Sequence, residues 1–242
     1  MDRRTFTKLL GSGIAVTIAP STLTQPLFAS GGGLYKSYER LQLVDAAGMP
    51  IKAGALKTEV PYVFMYPYVS TPCFIIALPQ PSEKEVKLSS EFDEHYVWKG
   101  GVGKENTIVG YCAICAHALT HPTPEDSFIT YVPKGTASMA HQEGGVIVCS
   151  SHLSVYDPAQ GAKNISGVAQ EPLASVILEY DAATDYLYAA GILGPERFHD
   201  FFRTFKPQLA KRFTPFKKAQ KLISFSIPTV PLTEYTKDVI VY

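Results

Sequence analysis

Two short sequences, Cys115-Ala116-His117 and Cys149-Ser150-Ser151-His152, decide how this chain is interpreted. They place two thiols and two imidazoles on two segments that residues 118–148 separate. Cysteine and histidine at such short spacing are typical metal ligands, because thiolate sulfur and imidazole nitrogen bind soft and borderline metal ions. The four side chains are therefore candidate ligands of one metal centre.

Three interpretations of this pattern are compatible with the residues. Two cysteines and two histidines are the ligand set of a [2Fe–2S] cluster in which two imidazoles replace two thiolates on one iron. Cys112 together with Cys115, Cys149 and His152 would instead make a tetrahedral zinc site. The same side chains can also be structural, with no metal bound.

Hydroxyl groups beside the second sequence favour the cluster over zinc. Ser154 and Tyr156 follow His152 at positions from which they would donate hydrogen bonds to sulfur and stabilise a reduced cluster. A zinc site gives these hydroxyls no role and leaves His117 without a metal. The residues alone still leave all three interpretations open.

The segment 115–173 resembles the cluster-binding region of Rieske iron–sulfur proteins. Its first loop, 115–120, reads C-A-H-A-L-T, and its second, 149–157, reads C-S-S-H-L-S-V-Y-D. Residues 167–173 stand where the family has a third loop that covers the cluster. Over residues 38–194 the chain looks most similar to the small subunit of arsenite oxidase, and next to the Rieske subunit of cytochrome bc complexes. This wider similarity is carried by Tyr66-Pro67, Ser70-Thr71-Pro72-Cys73, residues 101–109 and Leu178-Glu179-Tyr180-Asp181.

The resemblance implies an all-β fold, a Rieske-type antiparallel β sandwich with cluster-binding loops, and a Rieske [2Fe–2S] cofactor. It implies that Cys115 and Cys149 bind the inner iron and that His117 and His152 bind the outer iron near the surface. The distal imidazole nitrogens would then titrate in the oxidised state and couple proton transfer to electron transfer.

The resemblance also assigns roles to the neighbours of the ligands. Hydrogen bonds from Ser154 and Tyr156 predict a potential in the upper part of the Rieske range of about −150 to +300 mV. Ala118, Leu119 and Leu153 are expected to surround the imidazole edges with apolar surface suited to transient docking.

The chain departs from the family pattern at three places. Many Rieske proteins join their two loops by a disulfide, but those positions are Thr120 and Ser151 here, so packing and hydrogen bonds must hold the loops. Val168 and Gln170 replace prolines of the third loop. Residues 122–145 form an insertion between the two ligand sequences.

The composition is compatible with a loop-rich β domain. The chain has 242 residues, no formal net charge, 18 glycines, 18 prolines, 14 tyrosines and 13 phenylalanines. Such a chain can bury one sizeable core, and its neutral charge argues against nucleic-acid binding. Apolar runs predict strands at 38–44, 60–68, 73–78, 108–111, 128–132 and 145–148, and a hairpin of 176–180 with 186–191.

The N-terminus predicts export. Residues 2–8, D-R-R-T-F-T-K, resemble a twin-arginine signal, and an apolar stretch follows at 9–29. We expect residues 1–30 to be a signal or a retained membrane anchor helix, residues 31–37 a glycine-rich hinge and residues 38–195 the Rieske domain. The domain would then lie on the periplasmic side of the bacterial inner membrane.

Residues 196–242 form a C-terminal extension with helical and extended parts. Its first part, 196–221, has eight basic and two acidic residues. Four phenylalanines at helical spacing, 198, 201, 202 and 205, predict a helix that Pro207 ends. The aromatic face either packs on the domain or docks on an anionic membrane or acidic partner. Residues 222–242 have the pattern of an extended arm, which could lie along another subunit.

The remaining cysteines and histidines have ordinary interpretations. Cys73 is expected to be a packed strand residue, and a Cys73–Cys112 disulfide is possible after export. Histidines 95, 121, 141 and 199 are interpreted as ordinary surface or core residues, although His121 lies near the first loop.

The functional expectation is an electron-transfer subunit of an oxidoreductase complex rather than a stand-alone enzyme. Its partners would be a larger redox subunit, either a cytochrome b-type or a molybdopterin enzyme, and a cytochrome c-type acceptor. An export signal disfavours a Rieske ferredoxin or oxygenase component. A zinc-binding structural module without a redox role is the alternative.

Overall fold

The computed structural model describes residues 34–242, and the strands predominate over the helices there. The strands are β1 (Tyr35–Val44), β2 (Pro61–Met65), β3 (Pro72–Ala77), β4 (Val86–Ser89), β5 (His95–Trp98), β6 (Ile108–Cys112), β7 (Asp126–Ser127), β8 (Ile129–Val132), β9 (Val146–Cys149), β10 (Ser154–Asp157), β11 (Lys163–Ser166), β12 (Ser175–Asp181), β13 (Tyr186–Leu193), β14 (Ile227–Pro228), β15 (Val230–Pro231) and β16 (Asp238–Val239). The helices are α1 (Phe198–Thr204), α2 (Lys206–Arg212) and α3 (Leu232–Tyr235), with 3₁₀ turns at Ala53–Ala55, Pro158–Gln160 and Phe216–Lys218.

A large sheet of eight strands carries most of the core. Its order is β14-β1-β13-β12-β6-β3-β2-β15, and the ladder from β1 through β2 is antiparallel. Strand β3 lies inside this order, and all six of its residues are buried. A continuous apolar run is typical of a strand that is covered on both faces. The first ligand loop leaves this sheet directly after β6.

A smaller sheet of four strands carries the second ligand loop. Its order is β11-β10-β9-β8, and the loop is the short connection between β9 and β10. Four valines of these strands, Val132, Val146, Val148 and Val155, form a small core of their own. Strand β8 belongs to the predicted insertion, so part of that insertion completes this sheet.

The predicted strands are present, with boundaries shifted by a few residues. The predicted hairpin is the pair β12 and β13, which joins Asp181 to Tyr186 in register. The elements that were not predicted include the hairpin of β4 with β5, the strands β10 and β11, and the two-residue strands β7 and β14 to β16. Strands β4 and β11 are short and mostly exposed, which gives a weak apolar pattern.

The phenylalanines of the C-terminal extension pack on the domain. Phe198, Phe201 and Phe202 are buried, which favours the packing interpretation over an aromatic docking surface. The predicted helix is present as α1, but it ends at Thr204, and Pro207 lies in the first turn of α2 instead of ending the helix. Proline is tolerated there because the first N–H groups of a helix have no intrahelical acceptor.

Residues 222–242, predicted as an extended arm, pair with strands of their own chain, and their contact with another subunit stays a prediction. Strand β14 pairs with β1, β15 pairs with β2, and β16 pairs with β7 of the insertion. The backbone groups of the arm therefore find partners within its own chain.

The predicted signal or anchor at 1–30 lies outside the described residues, as do residues 31–33 of the predicted hinge. Strand β1 already begins at Tyr35, where it pairs with Leu193, so residues 35–37 belong to the large sheet. Within residues 34–242, no helix is long and apolar enough to cross a membrane.

Candidate metal centre

The two ligand loops meet where the two sheets adjoin. The first loop follows β6 of the large sheet and contains Cys115 and His117. The second follows β9 of the small sheet, whose last residue is Cys149, and contains His152. Ser154 opens β10 directly opposite Cys149 in the ladder. Loops placed at the ends of paired strands hold their side chains on a rigid scaffold.

The two ligand cysteines form a buried pair. Cys115 and Cys149 are both fully buried. The interaction of the two thiols is the main reason that the pKa of Cys115 is lowered to about 6, and together with burial it raises the pKa of Cys149 well above its usual range. A bound cation would favour ionisation of both thiols, because two neighbouring thiolates repel each other.

The two ligand histidines form an exposed pair. The rings of His117 and His152 are edge to face, with their centroids 4.8 Å apart. Both side chains are exposed, in contrast to the buried cysteines of the same loops. The four predicted ligands are thus brought together as sulfur on the inside and imidazole on the outside.

This arrangement fits a two-metal cluster better than a single zinc ion. Among residues 34–242, no three His, Cys, Asp or Glu side chains converge on one point that would hold one metal ion. Cys112, the fourth member of the zinc set, lies at the end of β6 opposite Cys73 of the neighbouring strand. Two separate ligand pairs are what two irons require when each iron binds two side chains.

Cys73 and Cys112 are free thiols in this structure, although they face each other in the β3–β6 ladder. Cys73 Sγ donates to the carbonyl oxygen of Tyr66 at 3.2 Å. Cys73 is fully buried in β3, as its interpretation as a packed strand residue predicted. The possible disulfide between the two remains a prediction.

The two predicted hydroxyls contact the ligand loops in different ways. Tyr156 Oη lies 3.3 Å from Cys115 Sγ and accepts a hydrogen bond from Ala116 N at 3.3 Å. A metal-bound thiolate at Cys115 could only accept in this contact, so the tyrosine hydroxyl would then be the donor. Ser154 Oγ accepts from Ala169 N of the third loop at 3.2 Å. That contact leaves the serine proton free to be donated.

A hydrogen bond occupies the place of the absent disulfide. Thr120 Oγ1 donates to Ser151 Oγ at 3.2 Å, so the two loops are joined directly at the positions where many Rieske proteins have cysteines. The bond is exposed and neutral, and such bonds contribute little to stability. Other contacts must therefore also hold the loops.

Each loop contains a leucine with positive φ. Leu119 has φ 60° and Leu153 has φ 56°, in the left-handed region that L-residues rarely adopt. Such backbone conformations cost free energy and persist only where surrounding contacts impose them. The expectation that both leucines surround the imidazoles is wrong for Leu119, which is buried, whereas Leu153 is partly exposed and Ala118 is exposed.

The third loop packs against the second. Gly167 has φ 86°, and a Cβ on it would lie 2.2 Å from the carbonyl oxygen of Leu153. Val168 is half exposed beside it. A glycine is required at this position both by the conformation and by the close approach of the two backbones.

His121 has an unusual environment among the remaining histidines. Its Nδ1 bonds the carbonyl oxygen of Leu119 at 2.9 Å, and its ring packs edge to face on Phe201 and Phe205. Burial lowers the pKa of His121 to about 4, so this imidazole is neutral. The end of the first loop is thereby enclosed by the C-terminal extension.

Sequence reasoning missed Arg197 and Glu171. Arg197 donates to the carbonyl oxygen of Ala116 and faces the buried carboxylate of Glu171. One signal was available, because a glutamate inside an apolar loop such as 167–173 needs a cationic partner. Nothing in the sequence indicated that the partner lies in the C-terminal extension.

The chain was compared with known proteins. No family model matches it. It is 31% identical over 196 residues to iodate reductase subunit IdrB of Denitromonas iodatirespirans, a match that covers 80% of this chain and 82% of that protein. It is 29% identical over 194 residues to IdrB of Pseudomonas sp. (strain SCT), covering 80% of each chain. Among solved structures, the soluble domain of the Rieske protein II (soxF) from Sulfolobus acidocaldarius matches 68% of this chain and 81% of its own, with a TM-score of 0.46 and 24% identity.

Paired cysteines and histidines on two loops of a mostly β fold define a Rieske-type protein. The identity to IdrB extends over most of both chains. The chain therefore belongs to the family of Rieske-type small subunits that contains IdrB, and the arsenite oxidase small subunit is of the same kind.

Proposed function

We propose that this chain is the Rieske [2Fe–2S] electron-transfer subunit of an exported oxidoreductase complex. The observation that carries the proposal is the ligand geometry, a buried thiol pair next to an exposed imidazole pair whose rings are 4.8 Å apart. When bound, a cluster of this type supplies a centre that takes up and releases one electron at a time.

The residues of this site would have different roles in holding the cluster. Cys115 and Cys149 hold the buried side, where thiolate suits ferric iron, and His117 and His152 hold the exposed side. Tyr156 would donate a hydrogen bond to Cys115 Sγ, which disperses negative charge on sulfur and favours the reduced state. The large and small sheets keep water away from the thiols because every residue of β9 is buried.

Electrons would enter and leave through the exposed imidazole edges. His117, His152 and Ala118 are exposed, whereas the thiols lie behind them with no exposed surface. The shortest electron-transfer path from the site to a partner would therefore pass through the imidazole rings. Ala118 and Leu153 add apolar surface around this edge, which suits a docking contact that forms and dissociates readily.

The proposed partners are a larger redox subunit and a cytochrome c-type protein. IdrB is named as a subunit of iodate reductase, which supports a role for this chain within a complex. The larger subunit would hold a molybdenum or cytochrome b-type centre, and the chain would pass single electrons between that centre and the cytochrome. We propose no catalytic residue on this chain.

The proposed location is the periplasmic side of the bacterial inner membrane. The sequence D-R-R-T-F-T-K at 2–8 supports export by the twin-arginine route, which carries folded proteins and so suits a cofactor that is inserted before export. The apolar stretch at 9–29 supports membrane association through the N-terminal segment. We propose that the Rieske domain, residues 38–195, follows this segment on the periplasmic side of the membrane.

Metal analysis and electron paramagnetic resonance of the purified full chain test the proposal. Two irons per chain and a signal after reduction by dithionite are expected, because a reduced [2Fe–2S] pair has an unpaired electron. His152→Ala should abolish the signal, whereas His95→Ala, at an exposed histidine of β5, should preserve it. A protein that contains zinc and no iron, with all four ligands intact, would contradict the assignment.

A further inference from the structure

We propose that Arg197 is a positioning residue that fastens the first ligand loop from the C-terminal extension and links it to the third loop. The inference rests on the proposed function only where it treats residues 115–120 as a ligand loop. The contacts of Arg197 do not depend on a bound cluster. Arg197 lies just before helix α1, outside the segment in which the ligands occur.

The first contact is made to the backbone between two ligands. Arg197 Nη1 donates a hydrogen bond of 2.7 Å to the carbonyl oxygen of Ala116, which stands between Cys115 and His117. The N–H of Ala116 donates to Tyr156 Oη on the other side. Both polar groups of this buried residue are thus held, one by the small sheet and one by the extension.

The second contact links Arg197 to the third loop. Glu171 is buried, and its Oε1 lies 3.6 Å from Arg197 Nη1. Its Oε2 accepts a hydrogen bond from the backbone N–H of Glu91 at 3.3 Å. A buried carboxylate is costly unless a cation is close, so Glu171 keeps the guanidinium at this place and the guanidinium keeps Glu171 there.

The third contact orients the guanidinium. Arg197 Nη2 lies 3.3 Å from Asp200 Oδ2, in the first turn of α1, and that helix is anchored by the buried Phe198 and Phe201. The planar fork of arginine serves a carbonyl and two carboxylates at once. A lysine ammonium is a single point and cannot span all three acceptors.

These contacts matter because the two loops lack the disulfide found in many Rieske proteins. The Thr120–Ser151 hydrogen bond joins the first loop to the second at an exposed position. Arg197 joins the first loop to the third at a largely buried position, through a charged donor. Charge-assisted hydrogen bonds are roughly twice as strong as neutral ones, so Arg197 is the stronger of the two fastenings.

Hydrogen exchange of the full-length chain, without and with iron, tests this role. Two amides report on the first loop: Cys115 N, bonded to Thr120 O, and Leu119 N, bonded to Cys115 O. Arg197→Gln should speed their exchange about tenfold, the change expected from losing a hydrogen bond to a charged group. Arg197→Lys should give a smaller increase, because it keeps the charge beside Glu171.

Arg203→Gln is the matched control. Arg203 is an exposed arginine that bonds the same carboxylate, Asp200 Oδ1 at 2.7 Å, but its ion pair does not involve the ligand loops. It should leave the exchange of Cys115 and Leu119 unchanged. The iron-loaded Arg197→Gln protein should also lose iron to a chelator several-fold faster than the control, with altered electron paramagnetic resonance g-values.

Equal exchange of these two amides in Arg197→Gln and Arg203→Gln would overturn the role of Arg197. If Arg197→Gln does not fold, Arg197→Lys decides: local acceleration supports the proposal and unchanged exchange overturns it. The exchange measured without iron is independent of the cofactor. A chain that binds no iron but shows the local acceleration would therefore contradict the proposed function and leave the fastening intact.

Discussion

The two ligand loops meet at one site, but different parts of the chain hold them. The first loop, 115–120, leaves the large sheet and is enclosed by the C-terminal extension, which contacts it at Ala116 and contacts His121 directly after it. The second loop, 149–157, contains the tight connection between β9 and β10 of the small sheet and is covered by the third loop at Gly167. One half of the site thus depends on distant sequence and the other half on local pairing.

This difference determines which changes should damage which half. The third loop approaches the second backbone to backbone at Gly167, so a single added atom can displace it. The extension contacts the first loop through the side chain of Arg197, so that contact depends on charge and burial. Each loop also contains one leucine with positive φ, which shows that surrounding contacts impose the conformation in both halves.

The largest loss of stability should come from the half of the site that contains the second loop, called the second half; the half that contains the first loop is the first half. Gly167→Ala places a Cβ 2.2 Å from Leu153 O and 2.5 Å from Ser154 Cα, at a φ of 86°. Because these neighbours are backbone atoms, the third loop must move away from the second. We expect a loss of about 3 kcal/mol in the free energy of unfolding, measured by urea denaturation, together with weaker iron binding.

Gly135→Ala separates the clash from the backbone conformation. Gly135 has a similar φ of 81°, but nothing lies within 4 Å of the added Cβ. We expect it to cost about 1 kcal/mol, from the left-handed conformation alone. Equal losses for the two variants would show that close approach of the second and third loops is not what holds this half.

The next effect concerns the first half and depends on pH. His121 is half-buried and neutral in the folded chain, and desolvation lowers its pKa from 6.5 to about 4. Above pH 6.5 this histidine is neutral in both states and costs nothing. As the pH falls from 6.5 toward 4, the unfolded state gains a proton that the folded state does not, so stability is lost at about 1.4 kcal/mol per pH unit.

Unfolding by urea at pH 7.5 and pH 4.5, on protein without iron, measures this effect. His121→Phe should lose about 2–3 kcal/mol less than the unmodified chain between the two pH values. His95→Gln removes a histidine with an exposed side chain and should keep the full loss. The same pH dependence in all three proteins would show that the folded chain does not keep His121 neutral, and it would contradict enclosure of His121 by the C-terminal extension.

A smaller effect, on the midpoint potential, tests the contact between Tyr156 of the small sheet and Cys115 of the first loop. Tyr156, in β10, reaches across to Cys115 Sγ at 3.3 Å. Tyr156→Phe removes a hydrogen bond that favours the reduced state by about 1 kcal/mol, which lowers the midpoint potential by roughly 40 mV for one electron. Ser154→Ala should lower it by a similar or smaller amount. Redox titration with an unchanged potential in both variants would contradict their proposed role.

Much of the site was predictable because its signals are local. Cys115, His117, Cys149 and His152 occur in two short sequences, and the structure brings them together in the predicted pairs. Apolar runs such as 73–78 predicted the central strands, since a buried strand needs apolar residues on both faces. The chain's family membership also agrees with the resemblance carried by these residues.

What could not be predicted depends on distant parts of the chain. Arg197 is one of eight basic residues in 196–221, and only the position of helix α1 selects it to meet Ala116. Burial of Leu119 follows from the turn of the loop, which the residue type does not reveal. Residues 222–242 have little periodicity because they add single short strands to existing sheet edges.

The smallest effect joins the two halves directly. Thr120 Oγ1 and Ser151 Oγ lie 3.2 Å apart, one on each loop, and their bond is exposed. Thr120→Val and Ser151→Ala should each cost about 0.5–1 kcal/mol, and a double-mutant cycle should give a coupling energy of about 0.5 kcal/mol. A coupling near zero would mean that the loops are held independently, each by its own part of the chain. A coupling above about 2 kcal/mol would mean instead that this single bond replaces the disulfide, so that the halves act as one unit.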